Sequence, residues 1–211
     1  FGLIEIERGT DEQESLAGLE KGTIEYHFHR AEFLRANGRY QEALGELEIA
    51  QRIAPTYAWV DYIIGDTWEN LGRLDKAWFY YQKATQKDPK NGWFSYALGK
   101  LYEKLDKEDE ALMAYQKSLT VAPDNIWSSF ALGQIFEKRG DLVNAVFFYR
   151  QTNFLGWGPN TLDSKKGLEA LKRLEDKHPD LAKRFKDPSG MAIKTISSFE
   201  NEKEIPPNIQ L

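Results

Sequence analysis

Trp59, Trp93 and Trp127 stand 34 residues apart, and Phe28, Tyr62, Tyr96 and Phe130 keep the same interval beside them. The chemistry these side chains offer is non-covalent. A Trp or Tyr ring buries about 150–250 Å² on contact and loses little rotamer entropy, which suits it to gripping apolar groups of a partner. Rings at a fixed spacing also suit stacking on successive sugars. Bond-making chemistry finds no comparable support. His27 and His29 diverge by about 200° on a helix, so they do not chelate one metal as an i, i+4 pair would, and His178 stands apart from both. There is no cysteine, no Gly-rich phosphate loop and no Gly-x-Ser-x-Gly elbow. Acidic residues are dispersed, and i, i+4 pairing with Lys accounts for them. The expectation is a non-catalytic chain with no cofactor and no metal.

The elements that must position these rings follow from the same interval. A period of 34 is that of helical-hairpin repeats, and four segments align at it: 24–57, 58–91, 92–125 and 126–159. Small residues recur where two helices must approach, at Ala31, Gly65, Gly99 and Gly133 in the first helix and Ala43, Ala77, Ala111 and Ala145 in the second. Larger side chains there would push the helices beyond the usual 8–10 Å between axes. Gly38, Gly72, Asp106 and Gly140 fall at the turn between helices, where a left-handed residue is needed; Asp tolerates that conformation next best after Gly. Pro55, Pro89 and Pro123 end the second helices, lacking the next hydrogen-bond donor.

This pattern resembles the tetratricopeptide repeat. The second repeat carries it best, with Gly65, Trp68, Gly72, Ala77, Tyr81, Ala84 and Pro89; the third has Gly99, Tyr102, Ala111, Tyr115, Ser118 and Pro123. The first departs with Ala31 and Leu47. The fourth opens well through Gly133, Phe136, Gly140, Ala145 and Tyr149, then departs with Thr152 and Trp157-Gly158-Pro159, so its second helix is expected to stop near Phe154. The resemblance implies an all-α fold, a right-handed superhelical array of antiparallel helix hairpins, whose first helices line a concave face. Its inward positions would be Glu25, Trp59, Trp93 and Trp127; Phe28, Tyr62, Tyr96 and Phe130; His29, Ile63, Ala97 and Ala131; Glu32, Asp66, Lys100 and Gln134; and Arg35, Glu69, Glu103 and Glu137. The candidate peptide-binding residues drawn from these are Phe28, Glu32, Trp59, Tyr62, Asp66, Trp93, Tyr96, Lys100, Trp127, Phe130 and Gln134.

The family's signature Trp normally sits two residues later than this chain's Trp row, where Asp61, Ser95 and Ser129 stand instead. Two readings follow: a Trp row facing a ligand, or one packing on the preceding repeat in the space a small polar residue leaves. Family members that clamp the C-terminal carboxylate of heat-shock chaperones need Lys and Asn in the first repeat and Lys and Arg in the third. Here Phe28 and Glu32, then Trp93 and Ala97, occupy those places, so that partner is not expected.

Residues 163–178 read as a C-terminal capping helix within a capping region over 160–187, with Asp163 as N-cap and Leu168, Leu171 and Leu174 on one face. A short helical turn around Leu181 and Phe185 follows, and 188–211 reads as a polar extended tail. Residues 1–23 form an acidic lead with a short helix over 12–20. The net charge of -5 resides in residues 1–25, where Glu5, Glu7, Asp11, Glu12, Glu14, Glu20 and Glu25 face only Arg8 and Lys21; the rest is balanced. Nothing there favours nucleic acid. No apolar run approaches the roughly 20 residues needed to span a bilayer, and no signal peptide is visible. Because the chain opens on Phe1, either a leader has been removed or it is a piece of a longer polypeptide, and the compartment stays open between cytoplasm and export.

The leading function is a protein-interaction scaffold or adaptor gripping a peptide segment with apolar and, given Glu32, Asp66, Glu69, Glu103 and Glu137, basic side chains. Carbohydrate binding or polysaccharide export, an interaction module of a larger enzyme, and self-assembly are the other readings.

Overall fold

The 34-residue interval reappears in the helix boundaries themselves. In the computed structural model, residues 11–154 and 162–180 are described, and among them ten α-helices form. First helices run over Ile24–Ala36 (α2), Ala58–Asn70 (α4), Gly92–Lys104 (α6) and Ile126–Lys138 (α8); second helices run over Tyr40–Ile53 (α3), Leu74–Lys87 (α5), Glu108–Val121 (α7) and Leu142–Phe154 (α9). A four-residue helix, Glu12–Ser15 (α1), precedes them and Leu162–Lys177 (α10) follows. The helices group into two compact units, Phe1–Ala114 and Tyr115–Leu211. Within the first, α2 packs on α3, α3 on α4, α4 on α5 and α5 on α6, with α1 leaning on α2; within the second, α8 packs on α9 and both meet α10. Trp157-Gly158-Pro159, Leu181, Phe185, the tail over 188–211 and residues 1–10 lie outside the described residues.

Each turn within a hairpin is built alike. Gly38, Gly72 and Gly140 have φ of 74°, 72° and 77°, and Asp106 joins them at 55°. The left-handed residue lets the next amide reach back five positions: Arg39 to the Leu34 carbonyl, Arg73 to Trp68, Lys107 to Tyr102 and Asp141 to Phe136, all at 2.8–2.9 Å. This satisfies carbonyls that a helix end leaves without partners. Starts are also capped: Thr23 Oγ1 accepts from the Tyr26 amide, Asn91 Oδ1 from Trp93 and Asn125 Oδ1 from Ser128.

The hairpins close on one contact. A Cβ added to Gly65 would lie 2.7 Å from Tyr81 Cδ1, and one added to Gly133 would lie 2.6 Å from Tyr149 Cδ1. Tyr81 and Tyr149 are themselves buried, so each ring lies across a helix backbone with no room for a methyl. In the first hairpin the same two positions hold Ala31 and Leu47, both buried; a smaller side chain on the second helix accompanies the added methyl on the first. Gly167 keeps the same register, 34 residues beyond Gly133, and its Cβ would meet Thr152 Oγ1 at 1.9 Å. α10 therefore meets the preceding helix α9 through the position at which α4 and α8 meet the helix that follows them. Its buried seam is Gly167, Ala170 and Leu174, while Leu168 and Leu171 are half-buried. It begins at Leu162, one residue ahead of Asp163, the residue expected to cap it.

Gly65→Ala and Gly133→Ala should each lower stability by about 2 kcal/mol through overpacking. Gly45→Ala, in α3 where nothing lies within 4 Å of the added Cβ, should raise it by about 0.5–1 kcal/mol. Urea midpoints decide; equal shifts for all three would remove the close-packing argument.

Candidate functional site

The aromatic stripe assembles in the first unit from α4 and α6. Trp59 and Tyr62 meet edge to face at 5.4 Å between centroids, Tyr62 and Trp93 at 6.4 Å, and Trp93 and Tyr96 tilt together at 5.2 Å. The four rings thus form one continuous run across two successive repeats. Phe94, fully buried beneath it, touches Trp59 at 5.1 Å and Tyr62 at 5.7 Å. Burial pushes the Tyr62 phenol above its ordinary value, with the neighbouring Trp93 indole pulling the other way.

The Trp row is therefore shared between packing and solvent. Trp93 leans on Tyr62 of the preceding repeat, whereas Trp59 reaches forward to Phe94 of the following one. Both are half-buried, and Trp127 in the second unit is 39% exposed. The second aromatic row sits deeper: Tyr62 is buried and stacks on Tyr81 at 5.6 Å, Phe130 lies 5.7 Å from Tyr149, and Phe28 packs half-buried on the core. Lys100 and Gln134 are exposed.

Four carboxylates of this face carry internal counter-ions, a set of pairings that no single helix announces. Arg35 bridges Glu32 of its own helix and Asp66 of α4. Tyr81 Oη donates to Glu69 Oε2 at 2.7 Å and lies 3.4 Å from Asp66 Oδ1, and Lys104 of α6 pairs with Glu69. Glu32, Arg35, Asp66, Tyr81, Glu69 and Lys104 thereby form a polar chain across α2, α4, α5 and α6. In the second unit Tyr149 Oη donates to Glu137 Oε2 at 2.8 Å, and Arg173 of α10 spans both Glu137 oxygens at 2.7 and 2.6 Å. Burial and then the neighbouring carboxylate push the Tyr81 and Tyr149 phenols well up, so both remain protonated donors.

A second cluster escaped sequence reasoning altogether. Asp61, at the place of the family's usual Trp, is completely buried. Gln51 Nε2 of α3 donates to its Oδ1 at 2.7 Å, Lys83 Nζ of α5 lies 3.0 Å from Oδ1, and Lys87 pairs with Oδ2. In the second repeat, then, a charged network and not the displaced Trp takes the signature position. The available signal was an Asp amid Val60, Tyr62 and Ile63, with Lys83 and Lys87 four apart on the next helix. His27 likewise has a structural partner, its Nδ1 lying 2.6 Å from Glu46 Oε2, while Arg30 joins Glu46 to Glu12 of α1 at 2.8 and 2.9 Å.

Family models described as tetratricopeptide repeat match residues 62–91 and 80–113. The chain carries tetratricopeptide repeats. Among solved structures, a crystal structure of MamA is similar over 64% of this chain and 78% of its own, at 21% identity and a TM-score of 0.57. A second crystal structure of MamA protein covers the same share of this chain and 73% of its own at 21% identity and a TM-score of 0.55. A MamA RS-1 ArsTM double mutant matches at 20% identity and a TM-score of 0.55, over 64% of this chain and 76% of its own. At such identity the likeness speaks for the fold. No curated protein sequence matches the chain significantly. Tetratricopeptide repeats are protein-interaction scaffolds, and in those general terms so is this chain. Among the described residues no helix is long and apolar enough to cross a membrane.

Asp61→Asn would leave Lys83 and Lys87 facing a neutral amide. Because both lysines keep some access to water, the expected loss is about 2 kcal/mol, below the usual cost of breaking a buried pair. Asp75→Asn, at an exposed site on α5, should leave the urea midpoint where it is. Indistinguishable midpoints for the two variants would show the Asp61 network to be energetically idle.

Proposed function

We propose that the first-helix face of the tetratricopeptide repeats binds a peptide segment of another protein, seating its apolar side chains on the Trp59–Tyr62–Trp93–Tyr96 run. The observation that supports this reading is the continuity of those four rings combined with partial exposure of both tryptophans. A ring held at its edge by a buried neighbour and open on its face is pre-organised: little conformational freedom remains to be lost on binding. Trp127, Phe130 and Gln134 on α8, with Phe28 and Glu32 on α2, complete the proposed contact residues, each within its own unit. Asp66 and Lys100 flank the rings with opposite charge. Arg35 already bridges Glu32 and Asp66, so the apolar contacts supply most of the affinity and charge supplies selectivity.

Trp93→Ala should weaken binding of a selected peptide by about 2 kcal/mol, the level of a hot-spot residue. Isothermal titration with peptides recovered by display against the 211-residue chain provides the measurement, with a thermal melt confirming the fold. Affinity unchanged by the substitution would retire the aromatic face as the site. Indole fluorescence responding to oligosaccharides instead of peptides would transfer the same rings to sugar stacking.

A further inference from the structure

We propose that Lys104 is an internal substitute for a partner's cation, and that Glu69 is the point where an arginine side chain of the bound segment is recognised. This rests on the peptide-binding reading and names the partner chemistry of the same face. Glu69 is a fixed acceptor. Tyr81 donates to its Oε2 at 2.7 Å, and the Tyr81 ring is itself clamped against Gly65 and stacked on Tyr62 at 5.6 Å. Through Tyr62 the carboxylate is held at a set distance from the aromatic run, so a segment seated on the rings finds Glu69 in a constant place.

What occupies the other oxygen matters equally. Lys104 pairs with Glu69 Oε1 while its own side chain is 53% exposed; Arg35, which serves Glu32 and Asp66, is only 14% exposed. An exposed ammonium contributes little to stability and is readily surrendered to water. A guanidinium offers a planar fork of donors that a flexible lysine does not, so exchange favours an incoming arginine. Arg35, by contrast, is enclosed by two carboxylates and is not an exchangeable partner. The second unit repeats the arrangement, with Glu137 held by Tyr149 and covered by Arg173, whose side chain is 51% exposed. A tyrosine-pinned carboxylate under a solvent-facing cation thus recurs, once in each unit.

The test uses the 211-residue chain and two fluorescein-labelled decapeptides with leucine at alternate positions, one bearing a single arginine and the other citrulline in its place. Fluorescence anisotropy should show the arginine peptide binding about fivefold more tightly, the factor expected of one partly exposed ion pair. Glu69→Gln should erase that ratio and leave the citrulline peptide unaffected. Lys104→Ala should move the arginine peptide the opposite way, about threefold tighter, by removing the competitor. Equal binding of the two peptides by the wild-type chain, with affinity still dependent on Trp93, overturns the proposal and spares the peptide-binding reading. Binding of neither peptide, or binding indifferent to Trp93, overturns both. Should Glu69→Gln unfold the chain, the exposed Lys104 variant decides alone, since weaker or unchanged arginine binding there is equally fatal.

Discussion

The contact of a tyrosine ring with a bare helix backbone, Tyr81 across Gly65 and Tyr149 across Gly133, governs the rest of the architecture. It sets the separation of the two helices in a hairpin, and so where the first helix presents its outer residues. It also carries the phenol through the hairpin to the other side, where it meets Glu69 or Glu137. One side chain thereby acts in the core by its ring and on the first-helix face by its hydroxyl. Gly167, in the same register, gives the backbone of α10 an equally close approach to Thr152 of the preceding helix.

Charge on the first-helix face is organised by this scaffold more than by local sequence. Arg35, Asp66, Glu69 and Lys104 belong to three different first helices, and their pairings run between residues 31 to 35 positions apart. A stripe that looks acidic residue by residue is thus a chain of alternating partners. The strength of each pair depends on how far water reaches it, a property of exposure and not of net charge.

The fold was legible in the sequence because its determinants are local and repeat. A left-handed residue at 38, 72, 106 and 140 and a small residue at 31, 65, 99 and 133 each act within one hairpin, and even the replacement of Gly by Asp106 follows from backbone sterics. The ring residues were legible as a row, since equal spacing on equal helices places them on equal faces. Their sharing between neighbours was not, because Trp59 turns onto Phe94 of the following repeat and Trp93 onto Tyr62 of the preceding one. The Asp61 network was hidden for a related reason: Gln51, Lys83 and Lys87 come from the helices before and after, and no pattern along one helix announces a pairing across three. Gly167 lay in plain register, masked by the leucines around it.

The Asp61 network also bears on how such a chain can evolve. Proteins of this architecture lengthen or shorten by duplicating or losing a whole segment, which succeeds when every segment offers its neighbours the same junction. Here the carboxylate belongs to the second segment, its amide donor Gln51 to the first, and the serines at 95 and 129 hold the corresponding place further on. Excising the second segment would join Gln51 to Ser95, and duplicating it would set a new Asp61 beside Thr85. The junction is therefore keyed, and it holds the order of the segments against recombination.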